Sequence, residues 1–224
     1  MRIIRKENFI NDKRRVSYLH SVYNRIYSGK SVLIEGDYGA GKSRFLQLIK
    51  PKKLEIVWVE SLFNIHEILA SILSQLKFDV EPMYHKTHSY LKMVCNQKQT
   101  VIIVDESNDL DNRTWPYFKR IIDAGIPMIF SGLPKVRTLL MNQHPDILSR
   151  LKILVLYPIM VEDFIVQYKE FSQDAIEQIY GSTRGDMRKF QEICEDCINI
   201  AKEKNVQKID VNLALSLIPD FLSK

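Results

Sequence analysis

The sequence predicts an α/β protein in which a parallel sheet, covered by helices on both faces, is followed by a small lobe made only of helices. Three observations predict it. Short apolar runs (SVLIE from Ser31, EIVWVE from Glu55, VIIV from Val101, MIFS from Met128 and KILVL from Lys152) alternate with amphipathic stretches of helical length, the pattern of strands joined by crossover helices. After Tyr157-Pro158 the apolar runs stop and only helical periodicity continues. The 224 residues, 46% apolar and 26% charged, suffice for a full core with an attached lobe.

Taken in order, Val16, Leu19, Val22, Tyr23 and Ile26 recur at spacings of three and four and predict a helix over 14–28, with Arg14, Arg15 and Arg25 outside its apolar stripe. Gly29 ends it. The strand at Ser31–Glu35 runs into a glycine-rich turn and then a helix through Ile49, which Pro51 stops. EIVWVE reads as a second buried strand with Trp58 in the core. Helices are expected over Asn64–Leu76 and Thr87–Asn96, a third strand at Val101–Val104, a helix over Pro116–Ala124, and the last strands at Met128–Ser131 and Lys152–Leu156. The lobe reads as helices over Val161–Tyr168, Ser172–Tyr180, Asp186–Lys204 and Asp210–Ile218, with Ser172, Asp186 and Asp210 as N-caps. The division expected is a core of residues 1–158, including a basic N-terminal segment, and a lid of residues 159–224.

Composition excludes several classes. Three cysteines (Cys95, Cys194, Cys197) are no disulfide framework, and the charged start MRIIRKENF is unlike a secretory signal. The expectation is a cytoplasmic protein in a reducing compartment, without a membrane partner, because no apolar run approaches a span's length. Residues 1–60 hold 13 Lys/Arg against 6 Asp/Glu, a net +7, so the whole-chain +5 leaves −2 for the rest. A basic region of this kind suits a phosphate-bearing partner.

Gly36-Asp37-Tyr38-Gly39-Ala40-Gly41-Lys42-Ser43 fits G-x-x-x-x-G-K-[ST] between a strand and a helix, where the chemistry requires it. Its glycines let backbone N–H groups turn onto a phosphate, the helix start adds partial positive charge, Lys42 reaches the β- and γ-phosphates, and Ser43 ligates Mg²⁺. Arg44 faces the same surroundings. About 60 residues on, Val101–Val104 ends in Asp105-Glu106, which places Asp105 in the Mg²⁺ shell and Glu106 against an attacking water. The cofactors expected are therefore ATP and Mg²⁺.

With these motifs in this order the chain resembles the AAA+ ATPases, over nearly its whole length from about Phe9 to Ile218. The resemblance implies three further residues. Ser131, ending MIFS, matches the polar sensor on the strand after the acidic pair; its rival role is a hydroxyl satisfied locally. Arg150, in ILSRL, matches the arginine finger that completes a neighbouring subunit's site; its rival role is a surface arginine paired with Asp146. Arg188, in GDMR, matches the lid arginine, and a cation in a first helical turn is locally unfavourable without an anion to meet. The runs GLP after Ser131 and GDMR in the lid resemble the DNA-associated branch, which holds the transposon target-selection ATPases (the MuB and TnsC type) and the origin-recognition ATPases. The implied function is a Mg·ATP-hydrolysing protein that forms a homo-oligomer, ring or filament, on DNA and engages a partner such as a transposase or adaptor. The winged-helix domain of origin-recognition proteins has no counterpart in this sequence, which favours the transposition type. A helicase loader or initiator-like ATPase, a protein-remodelling switch that does not act on DNA, and a small-molecule phosphotransferase are the alternatives.

DNA contacts, if made, fall to phosphate-directed cations. Lys50, Lys52 and Lys53 cluster after the phosphate-loop helix, and His85, Lys86, His88 and Lys92 decorate the inserted segment before Val101, a pattern that gives salt-dependent, non-specific affinity or a merely solvated face. Cys194 and Cys197 have C-x-x-C spacing inside a helical pattern with no second pair, and so read as core cysteines.

Overall fold

The computed structural model describes residues 13–157, 160–184 and 186–222. The basic segment before Lys13, the proposed boundary at Pro158 and Gly185 of the lid motif lie outside these residues. The chain forms two compact units: Ser17–Gly36 with Lys42–Leu156, and Met1–Val16 with Asp37–Gly41 and Tyr157–Lys224.

The first unit is built on five strands, β1 (Ser31–Glu35), β2 (Glu55–Val59), β3 (Thr100–Val104), β4 (Met128–Gly132) and β5 (Leu151–Val155), in the order β2-β3-β4-β1-β5. Every pairing is parallel, with Ser31 opposite Leu151, Val32 opposite Ile129 and Trp58 opposite Ile103. Helix α1 (Lys13–Ile26) contributes Val22 and Ile26, and α2 (Lys42–Gln47) contributes Phe45 and Leu46, to a core on one face with Val32, Ile34, Ile103 and Ile129. The opposite face carries α3 (Ile65–Gln75), α4 (Thr87–Cys95), α5 (Trp115–Asp123), α6 (Pro134–Gln143) and the short α7 (Pro145–Leu148), packed on Leu33, Val57, Ile102 and Phe130. Because side chains alternate along a strand, both faces of the central strands are apolar and their sequences read as continuous runs. Asn64 and Glu67 start α3 with reciprocal side-chain-to-backbone bonds of 3.1 and 2.9 Å.

Three expectations need correction. Trp58 is 39% exposed rather than core. It lies on β2, the sheet's edge, where only Val57 and Val59 are buried, so no further strand or helix covers its ring. The indole's own peptide is held instead by Gln75, whose side chain accepts from the Trp58 N–H at 3.0 Å and donates to its C=O at 2.7 Å. Arg15 is 3% exposed rather than outside the apolar stripe. It stands four and seven residues before Leu19 and Val22, so it continues that stripe. Finally, α2 ends at Gln47, short of Ile49, and α6, hidden in sequence by the GLP turn and a polar composition, adds a helix not read from periodicity.

The second unit's helices are α8 (Val161–Gln167), α9 (Gln173–Thr183), α10 (Met187–Glu203) and α11 (Val211–Leu222). Phe164 and Phe190, centroids 4.3 Å apart, sit with Tyr168 and Tyr180 at the centre of their core. Ser172, Asp186 and Asp210 cap as expected, accepting from Ala175 at 3.3 Å, Arg188 at 2.9 Å and Leu213 at 3.0 Å. Cys194 and Cys197 are buried here; burial pushes the Cys194 thiol well up and the Cys197 thiol up to about 11, so both stay protonated at neutral pH. Among the described residues no helix is long and apolar enough to cross a membrane.

Candidate nucleotide site

A buried strand, β1, delivers the chain to Gly36 at the carboxyl end of the sheet, and the loop to Ser43 turns there into α2. Gly39 and Gly41 take φ of +75° and +78°, the left-handed region that side chains resist. A Cβ would be crowded at both. At Gly39 it would lie 2.9 Å from the Asp186 Cα, and at Gly41 3.0 Å from an Arg15 guanidinium nitrogen. Lys42 Nζ donates to the Gly36 carbonyl at 2.8 Å, arching its side chain back across the loop. Tyr38 is 78% exposed at the tip, beside the exposed Asp37, and the Ala40 N–H reaches back to the Asp37 carbonyl at 3.3 Å. Ser43 is exposed at the second residue of α2, while Arg44 lies along that helix, its guanidinium donating to Gln47 Oε1 at 3.3 Å rather than to the loop.

At the same end of the sheet, β3 hands over to Asp105 and Glu106. Asp105 Oδ1 accepts the Glu106 N–H at 2.9 Å, and Glu106 is exposed with φ +48°. A non-glycine residue in that region stores roughly 1–2 kcal/mol of strain, and such outliers concentrate at functional positions. Ser131 is fully buried on β4 beside Ile34, and its hydroxyl has no partner among the described residues. A buried orphan hydroxyl costs roughly 1–3 kcal/mol unless a ligand or water meets it. Within the sheet unit, Lys42 and this hydroxyl are donors suited to phosphate oxygens, and the Ser43 hydroxyl and Asp105 carboxylate are the hard oxygen donors Mg²⁺ takes.

Arg150 is placed elsewhere. It precedes β5 at the sheet's amino end, and the pairing of Ser31 with Leu151 sets it about five residues, roughly 16 Å, from the carboxyl end of β1. Its Nε donates to Asp123 at 2.5 Å and another guanidinium N–H to the Asp146 main-chain carbonyl, while the Asp146 carboxylate takes Lys119 at 2.7 Å. Its carboxylate partner is thus Asp123, not Asp146. In the second unit, Arg188 is exposed in the first turn of α10, and the Asp186 carboxylate that caps this turn offsets its unfavourable position. The Met187 N–H also donates to the Gly39 carbonyl at 3.4 Å.

Sequence reasoning missed two charged contacts. Glu35, 4% exposed at the end of β1, pairs with Arg137 of α6 at 3.2 Å; a charge closing an otherwise apolar buried run was its signal. Arg15 donates to the Ala40 carbonyl at 2.8 Å and the Tyr157 carbonyl at 3.3 Å. The lysines named for DNA are all exposed. Lys50 and Lys52 are anchored through their backbone N–H groups to the Tyr23 and Tyr27 hydroxyls at 2.9 and 3.0 Å, which leaves their ammonium groups to solvent. This cluster precedes β2 at the sheet's amino end, away from the phosphate loop. Lys86 ends a 3-10 turn and Lys92 lies on α4.

No protein-family model matches the sequence, and no curated protein matches it. Solved structures do. Cdc6p from Pyrobaculum aerophilum superposes with a TM-score of 0.72 at 13% identity over 92% of this chain and 66% of that one. The Aeropyrum pernix ORC1 protein in complex with DNA gives 0.72 at 12% identity over 96% and 69%, and the Thermotoga maritima RuvB Holliday junction branch migration motor gives 0.66 at 17% over 94% and 70%. The chain spans about two thirds of the length of these proteins. At this level of identity the likeness is one of fold, and that fold is the AAA+ P-loop ATPase fold. It joins a five-stranded parallel sheet to C-terminal helices.

Proposed function

We propose that this chain is an AAA+ ATPase that acts on DNA. The observation that carries the reading is the phosphate loop, in which Gly39 and Gly41 adopt left-handed backbone that strains any side chain, followed by Lys42, whose Nζ donates to the Gly36 carbonyl. The loop amides and Lys42 hold the phosphates, Ser43 and Asp105 hold Mg²⁺, Glu106 accepts the proton of an attacking water, and the Ser131 hydroxyl orients that water or the terminal phosphate. Mg²⁺, when bound, neutralises phosphate charge. Arg188 serves as the lid arginine. Arg150, at the sheet's amino end, serves a neighbour's site in a ring or filament, which requires release from Asp123. The test joins both claims: wild-type chain binds one Mg·ATP in calorimetry and grows in light scattering with ATP, whereas Arg150→Ala binds equally well and hydrolyses at least about 10³-fold more slowly. Absence of Mg·ATP binding by the wild type overturns the reading, and unchanged hydrolysis in the variant removes Arg150 from it.

The finer assignment, a transposition target-selection ATPase recruiting a transposase or adaptor, is supported by the GLP and GDMR segments. The initiator or helicase-loader reading is favoured by the Cdc6p and ORC1 likeness, and ATP-dependent capture of a transposase as against a helicase separates the two. DNA contact falls to Lys50, Lys52 and Lys53, with Lys86 and Lys92 as a second group. Neutralising the first three together is expected to weaken duplex binding and to reduce the slope of log affinity against log salt by about 2 to 3. Equal affinity in a salt titration of the triple variant would sink that patch.

A further inference from the structure

We propose that Arg15 is a nucleotide-positioning residue, an inference that rests on the ATPase reading and extends it to a side chain no motif contains. Its guanidinium is 3% exposed and donates to the Ala40 carbonyl at 2.8 Å. A trans peptide is planar, and its C=O and N–H point in opposite directions. Holding the Ala40 carbonyl outward therefore turns the Gly41 N–H inward, to the side where a loop of this kind presents donors to a phosphate. The same guanidinium lies 3.0 Å from where a Gly41 Cβ would be, so it backs the loop at that peptide. The same nitrogen also donates to the Tyr157 carbonyl at 3.3 Å, which ties it to a second main-chain acceptor. The rigid, planar guanidinium holds that nitrogen in place, whereas a lysine ammonium on its flexible stem is less well fixed. Arg15 acts through the peptide and is not itself a reacting group.

The experiment uses the full chain and three proteins: wild type, Arg15→Met and Arg15→Lys. Mg·ADP affinity is read by calorimetry, KM and kcat for ATP by phosphate release, and unfolding without nucleotide by thermal melting. Arg15→Met is expected to bind Mg·ADP about 10- to 100-fold more weakly, the loss of one hydrogen bond from a charged donor. KM should rise in parallel while kcat stays within about threefold, because a cradle contact made equally in ground and transition states is uniform binding. Arg15→Lys should fall between the two. A folded Arg15→Met chain that binds Mg·ADP within about twofold of wild type overturns the proposal, as does a loss confined to kcat. Loss of the unfolding transition in both variants assigns Arg15 to stability alone and overturns it too. Failure of the wild type to bind Mg·ADP is a different outcome, since it removes the ATPase reading itself.

Discussion

Glu106→Gln is expected to bind Mg·ATP within about twofold of wild type and to turn it over at least about 100-fold more slowly, the scale of losing a general base. Glutamine has the same shape, so the left-handed turn at φ +48° and the Asp105 bond to the 106 N–H at 2.9 Å survive the change; only the capacity to take a proton is lost. Lys42→Ala should do the reverse to binding. It removes an ammonium that a phosphate would draw from the Gly36 carbonyl, and charge-assisted contacts of this kind are worth roughly 1.5–3 kcal/mol each, so affinity should drop by about 10- to 100-fold or more. Calorimetry and phosphate release on the two variants separate the roles. Hydrolysis unchanged in Glu106→Gln would remove that carboxylate from the chemistry.

Trp115→Ala is expected to cost about 3–5 kcal/mol of unfolding free energy, the range for an aromatic truncated in a packed core. Against a total of about 5–15 kcal/mol, that is enough to leave the first unit marginal. Trp115 is 1% exposed, with Phe118 and Phe130 at centroid distances of 6.0 and 5.1 Å. Phe130 precedes Ser131 on β4, so the cavity would open directly under the strand end that presents the orphan hydroxyl. Trp115→Phe should behave differently. The indole Nε1 is buried without a partner among the described residues, and removing an unmet donor recovers roughly 1–3 kcal/mol that offsets lost contact area. The two variants should therefore differ widely in urea midpoint; equal midpoints would mean that the site collapses around either residue.

The core strands and the lid helices were legible in the sequence because burial on both faces of β1, β3 and β4 leaves unbroken apolar runs, and because Ser172, Asp186 and Asp210 announce helix starts. The phosphate loop was legible because its chemistry needs glycine at fixed positions. What escaped depends on tertiary neighbours. Trp58 reads as core in any strand pattern, and only the order of strands in space shows that β2 is an edge. Arg15 reads as solvated in any composition-based account, yet it sits one helical turn from Leu19 on the buried stripe, and its acceptor lies 25 residues away in the chain. Glu106's left-handed backbone and Ser131's missing partner have no signature in a residue string. Arg150 was found as a position, but its carboxylate partner, Asp123, comes from α5, while the Asp146 carboxylate expected as its rival partner takes Lys119 instead.

The two bonds between Gln75 and the Trp58 main chain bear on what the sheet's edge can accept. An open parallel sheet ends in a row of unmet peptide groups, and an unrelated chain can lay a strand along them whether or not nucleotide is present. Gln75 closes the middle of that row with a carboxamide, which mimics one peptide of an incoming strand and then stops. The exposed indole beside it makes the edge bulky as well as filled. Strand addition at the β2 edge is thereby hindered at the peptide where an incoming chain would otherwise pair.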